Sequence, residues 1–271
     1  MLSARPYAGI FKMRLIAGMQ YRAAAWAGIA TQFFWGGMEL LVYRAFYLST
    51  NSPGGLMEFG QLADFIWMRQ AFLALVMLWS MDNDLLDMIA KGNAAYELCR
   101  PVDLYTFWFF RILALRVSRT VLRCLPIFIF ASLLPEPWKF HLPASPAALG
   151  LFIPALVLAA FLVTSLCMFI CLLTFVSLSP YGARLFFGVA AEFLMGALIP
   201  IPFMPLGLQR VLSFLPFRYT ADFPFRVYSG SIAGAEAFTG LGVQFFWTLA
   251  LVCLGYLGFR AVRKRLVIQG G

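Results

Sequence analysis

Two carboxylates and four arginines stand inside stretches that are otherwise apolar, and these are the side chains from which the chain could do chemistry. Glu39 lies in WGGMELL and Glu192 in VAAEFLM, while Arg111, Arg116, Arg119 and Arg123 recur along FRILALRVSRTVLRCLP. An acid in an apolar helix costs roughly 2 to 3 kcal/mol on insertion, so it marks a pathway or an ion pair. Glu39, with Arg44 and Arg69 as potential partners, reads as a structural pair. For Glu192, pairing with the arginines and lining a transport route are equally open. Arg111 to Arg123 covers about 18 Å of helix at 1.5 Å per residue, so the four cannot share one headgroup depth. Their stripe meets lipid phosphate, a polar cavity or a partner's acids, and Arg123 is the deepest and the best functional candidate.

No set of residues suits catalysis. The chain has no GxxxxGK[ST], HExxH, GxSxG or CxxC pattern. Its single histidine, His141, falls in the Pro-rich PEPWKFHLPASP and reads as a solvated loop residue. Cys99, Cys124, Cys167, Cys171 and Cys253 are odd in number and mostly in apolar runs, which argues against a disulfide framework; Cys167 and Cys171 share a helix face without a carboxylate or imidazole nearby, so no metal site is expected. Neither a catalytic residue nor a cofactor is assigned to this chain. A membrane-embedded enzyme that depends on Glu39 or Glu192 stays open as one alternative, and a purely structural membrane scaffold as another.

The elements that must position these residues follow from composition. With 62% hydrophobic, 17% aromatic and 12% charged residues, and a mean hydropathy of +0.83, 271 residues cannot form a water-soluble globule. The expected fold is an all-α integral membrane protein, one domain over 1–271, because a span needs about 20 continuously apolar residues and the runs do not alternate. Six spans are expected: about 23–47, 65–81, 110–134, 149–178, 185–206 and 242–259. Arg5, Lys12, Arg14 and Arg22 precede the first run, and no cleaved signal peptide is expected. Lys and Arg retention on the cytoplasmic side places both termini there, with Lys139, Arg210, Arg218 and Arg226 as exceptions on the outer side. The net charge of +9 is then an orienting and lipid-attracting charge, and nucleic acid is not an expected partner.

Between the second and third spans the polar DLLDMIAKGNAAYELCRPVDLY, residues 84–105, interrupts the apolar pattern. Asp82 or Asn83 suits an N-cap, Leu85, Leu86 and Ile89 share one face, and Asp84, Asp87 and Lys91 share another. Asp87 and Lys91 are spaced for an i, i+4 ion pair, Gly92 and Asn93 for a left-handed stop, and Asp103 for the cap of the next helix. A two-faced helix along the cytoplasmic membrane surface results. Further on, Pro200, Pro202 and Pro205 end the fifth span, and the interrupted apolar pieces after them suit a re-entrant pair of short helices.

The order of these elements, with WSMDNDLLDMIAKGNAAYELCRPVDLY at 79–105 and LPFRY and FPFRVYSG at 215–230, resembles the permease subunits of bacterial ABC exporters of the second type, in the branch with paired permeases beside one ATPase. The resemblance covers essentially the whole chain, and IxxGxxAxELxRPxD from Ile89 to Asp103 is its most specific part. It implies an N-terminal elbow helix near 7–20, a coupling helix between spans two and three, and re-entrant helices before span six. It further implies a partner ABC ATPase that carries ATP and Mg, a second permease as homodimer or paralogous heterodimer, surrounding lipid, and residence in the bacterial inner membrane. On this sequence the coupling role falls to Asp84, Asp87, Lys91, Gly92, Asn93, Glu97 and Arg100, with Glu97 and Arg100 as contacts to the ATPase. Efflux of an amphipathic drug, peptide or lipid-like cargo is the implied function.

Overall fold

A computed structural model of the chain describes residues 5–20, 22–49, 57–99, 101–177 and 180–263. These residues form helices joined by short turns: α1 (Arg5–Met19), α2 (Arg22–Ser49), α3 (Phe59–Ala71), α4 (Leu73–Val76), α5 (Asn83–Ala90), α6 (Ala94–Leu98), α7 (Leu104–Ser132), α8 (Pro146–Ser177), α9 (Pro180–Leu194), α10 (Leu206–Phe214), α11 (Asp222–Tyr228) and α12 (Gly234–Arg263). By length and composition alone, two stretches among the described residues can cross a bilayer, Pro146–Phe175 and Gly234–Val262. The expected spans map in order onto α2, α3 with α4, α7, α8, α9 and α12. In α2 and α7 the apolar run is diluted by ionised groups, which the bundle has to neutralise.

The second and fifth segments depart from expectation. Helix begins at Phe59 rather than near residue 65, breaks at Phe72 and ends at Val76, after which Met77 is extended and the expected helix to residue 81 does not exist. No Pro or Gly lies between residues 65 and 81. The break is imposed from outside, by a side chain that takes the last carbonyls, as described below. α9 stops at Leu194 instead of running to the prolines: Gly196 adopts φ +78 and the Ala197 N–H reaches back to the Glu192 carbonyl at 2.9 Å. This is a left-handed helix stop, and a Cβ on Gly196 would sit 2.9 Å from Ile201 Cγ1. The prolines follow in a 3-10 turn, Ile201–Phe203. α12 starts earlier than expected, at Gly234.

α8 is the hub, in contact with α7, α9, α11 and α12. Its partners are locked by aromatic stacking, with Phe128, Phe140 and Tyr228 forming a ladder at 4.7 and 5.5 Å between centroids. Buried Gln244 of α12 donates to the carbonyls of Ala155 and Tyr219 at 2.8 and 2.9 Å, so the polar group joins helices rather than breaking them. α1 lies along α7, where Tyr7 and Phe11 both pack on Phe110. The α10–α11 region supplies the pair of short helices expected before the last span, and α11 is buried against α3 and α8. Fully buried Asp222 meets Arg218 at 3.3 Å and Arg226 at 3.5 Å. Two of the four basic exceptions to the charge rule thus share one buried carboxylate.

His141 also departs from expectation. The loop between α7 and α8 folds back on α3: the His141 N–H donates to Asp64 Oδ1 at 2.7 Å, its ring Nδ1 lies 3.1 Å from the same oxygen, and Nε2 lies 3.3 Å from Glu136. Tyr228 donates to the His141 carbonyl at 3.0 Å, and Trp67 Nε1 to the Trp138 carbonyl at 2.8 Å. Because the backbone bond survives truncation of the ring, His141→Ala should cost under about 1 kcal/mol. Asp64→Ala, which strands a buried N–H, should cost about 2 kcal/mol. Thermal unfolding in detergent ranks the two; equal losses would contradict this account.

Candidate functional site

The interruption between the second and third spans folds as the sequence suggests. Asp82 caps α5 by accepting from the Leu85 N–H at 3.1 Å. Leu85, Leu86 and Ile89 are at most 2% exposed, against α8 and α9, whereas Asp84, Asp87 and Lys91 are exposed. Gly92, at φ +74, makes the left-handed stop. Asn93 does not share it: at φ −68 it is already the right-handed entry to α6, because one residue suffices to reverse the chain. Asp87 and Lys91 form no ion pair within 4 Å among the described residues, since α5 ends at Ala90 and Lys91 begins the turn. Arg100 lies outside the described residues.

Glu97, expected as a contact to a partner, turns inward. It accepts from Trp108 Nε1 and stands 4.0 Å from Arg111. Tyr96 beside it is the exposed residue, at 78%.

The arginine stripe resolves into separate contacts along α7. Arg111 grips Asp82 through two bonds, Nε to Oδ2 at 2.6 Å and Nη2 to Oδ1 at 3.2 Å. Arg116, fully buried, donates to the carbonyls of Ala74, Leu75 and Met77 at 3.2, 3.0 and 3.0 Å, and to Cys167 Sγ at 2.9 Å. The Ala74 and Leu75 carbonyls belong to the last turn of α4, where a cation is favoured, and the Met77 carbonyl, just past it, also accepts from the Ser80 N–H at 3.3 Å. Arg119 reaches Ser80 at 3.2 Å. Three arginines therefore clasp residues 74–82, which join the second span to α5. Burial pushes Asp82 upward, but the Arg111 guanidinium and the Leu85 N–H hold its carboxyl below the ordinary carboxylate range, so this tie stays ionised at neutral pH. Arg123, the favoured functional candidate, instead packs on α2, with Cζ 2.6 Å from where a Cβ on Gly28 would lie.

The acids also separate. Glu39 pairs with Arg69, as expected for one of its two potential partners, and Arg69 also donates to the Ala197 carbonyl in the turn after α9. Glu192 is partly exposed and has no ion pair within 4 Å among the described residues, with the α7 stripe or otherwise. α7 faces α1, α2, α3, α4 and α8, and α9 is not among its principal neighbours. Of the aromatic and Met side chains on these spans, Trp35, Met38 and Phe193 are exposed, whereas Phe65, Trp67, Met68 and Met195 are buried.

Sequence reasoning missed Asp82 as the partner of Arg111 and Trp108 as the partner of Glu97. Only the cap signal at Asp82 was available, and it pointed along the chain rather than across it. Residues 33–270 match the family model described as ABC-2 family transporter protein. No curated protein matches the chain.

Proposed function

Since the chain belongs to the ABC-2 family of transporter proteins, we propose that it is the permease subunit of an ATP-driven exporter in the bacterial inner membrane, with both termini and α5 on the cytoplasmic side. ATP and Mg then bind a separate ABC ATPase, and the ATPase docks on α5. The observation that carries this reading is the two-faced α5, whose apolar side is sealed in the bundle while Asp84, Asp87 and Lys91 stay exposed. Gly92 and Asn93 shape the turn that presents them, and Arg100 belongs to the same proposed contact. Glu97 serves the element from inside.

A second permease copy, identical or paralogous, covers apolar surface such as Phe34 and Trp35 of α2 and Phe186 and Val189 of α9, which are exposed in one chain. Lipid covers the remainder. The cargo is an amphipathic drug, peptide or lipid-like molecule, for which Glu192 and the exposed aromatic residues of α2 and α9 offer mixed polar and apolar contact.

The Asp84→Lys/Asp87→Lys variant, co-expressed with the ABC ATPase that supports its transport, should lose at least about 10-fold of the co-purifying ATPase, or roughly 1.4 kcal/mol. Its membrane insertion and unfolding midpoint should hold, because both positions are exposed. Undiminished association would overturn α5 as the docking element.

A further inference from the structure

α5 is covalently tied to the second span by a non-helical link that Arg116 and Arg119 themselves clasp to α7. Residues 77–82 are not helical, and Met77 is extended. The ties of α5 itself to α7 are of another kind. Asp82 uses its carboxylate twice, to cap α5 through the Leu85 N–H and to hold Arg111 through two bonds. At the other end of the element, Glu97 of α6 meets Trp108 and Arg111, so both ends of the α5–α6 turn converge on the first two turns of α7. Contacts of Leu85, Leu86 and Ile89 with α8 and α9 are apolar and non-directional, and the one directional tie to α9, from Arg184 to Asn83 Oδ1 at 2.5 Å, is exposed and single rather than bidentate. A bidentate guanidinium–carboxylate pair fixes orientation as well as distance.

We propose that Asp82 and Arg111 are positioning residues that form the joint by which movement of α5 is delivered to α7, the third span, rather than along the second. This deepens the proposed function and rests on it. The ion pair is 5% exposed at both residues, so water does not compete for it. α7 runs as one helix from Leu104 to Ser132, although Pro126 inside it removes one backbone bond, and a rotation set at Arg111 meets no other interruption before the far loop. The second span, interrupted at Phe72 and ended at Val76, offers no such shaft.

The test is amide hydrogen exchange on the complete complex with its ATPase in lipid nanodiscs, with and without ATP and orthovanadate. In the native complex, exchange should change both in α5 and in residues 125–134 at the far end of α7. In Asp82→Asn, which keeps a capping side chain, and in Arg111→Lys, which keeps the charge but not the fork, the α5 change should persist. The far α7 change should fall at least about 5-fold; the unfolding midpoint should drop as well, because each variant weakens a buried pair, and the persisting α5 response shows that the fold is kept. The swap Asp82→Arg/Arg111→Asp should restore part of it. A far α7 response of native size in both single variants overturns the joint and leaves the proposed function standing. No ATPase association and no nucleotide response in native α5 overturns the proposed function itself.

Discussion

Arg69→Ala is expected to cost the detergent-solubilised protein about 3 kcal/mol, the low end of the penalty for removing one partner of a buried pair, because the Glu39 carboxylate it strands is part-buried. Arg69 is 4% exposed, is ion-paired with Glu39 of α2, and donates to the Ala197 carbonyl after α9. One guanidinium thus joins the first, second and fifth segments, and its loss both strands a charge and releases the end of α9. Arg69→Met combined with Glu39→Met should recover most of the loss, since apolar replacement of a whole buried pair is often neutral. Unfolding followed by tryptophan emission, in a double-mutant cycle, measures both effects. A loss below about 1 kcal/mol for Arg69→Ala would show that water or lipid headgroups already reach Glu39.

Arg116→Met ranks beside it. The native side chain satisfies three carbonyls at the end of α4 and contacts Cys167 Sγ, and hydrogen bonds to a charged group contribute about 1.5 to 3 kcal/mol each. The bonds share one cation and are not additive, so a total loss of about 3 to 4 kcal/mol is expected. The loss should be local. Amide exchange of residues 75–82 should rise by at least about 10-fold while α8 and α12 keep their protection. Arg116→Lys should restore only part, because an ammonium is a strongly hydrated point charge without the planar fork. Unchanged protection of residues 75–82 in Arg116→Met would refute the clasp.

Where one helix alone decided the outcome, the sequence was sufficient. α2 and α8 run close to their expected bounds, Asp82 and Asp103 cap α5 and α7, and Gly92 ends α5, because each depends on hydropathy or on a bond to a residue three positions away. The division of α5 into Leu85, Leu86 and Ile89 against Asp84, Asp87 and Lys91 follows from the 3.6-residue period in the same way. Early termination of α9 turned on Gly196, whose signal was masked by the louder prolines after it. His141 looked solvated because nothing in the chain order announces Asp64 as its neighbour.

By itself, then, the sequence determined a membrane-embedded helical chain, the position and two faces of α5, and the presence of charges that the bilayer would not tolerate unpaired. Which charges meet was decided only by tertiary structure. Arg111 chose Asp82, Arg116 chose backbone carbonyls, Arg69 chose Glu39, and Glu192 has no ion pair within 4 Å among the described residues. The physical reason is range: helix periodicity and capping act within a few residues, whereas a buried ion has to be neutralised by whatever group the packing of distant segments brings within about 4 Å.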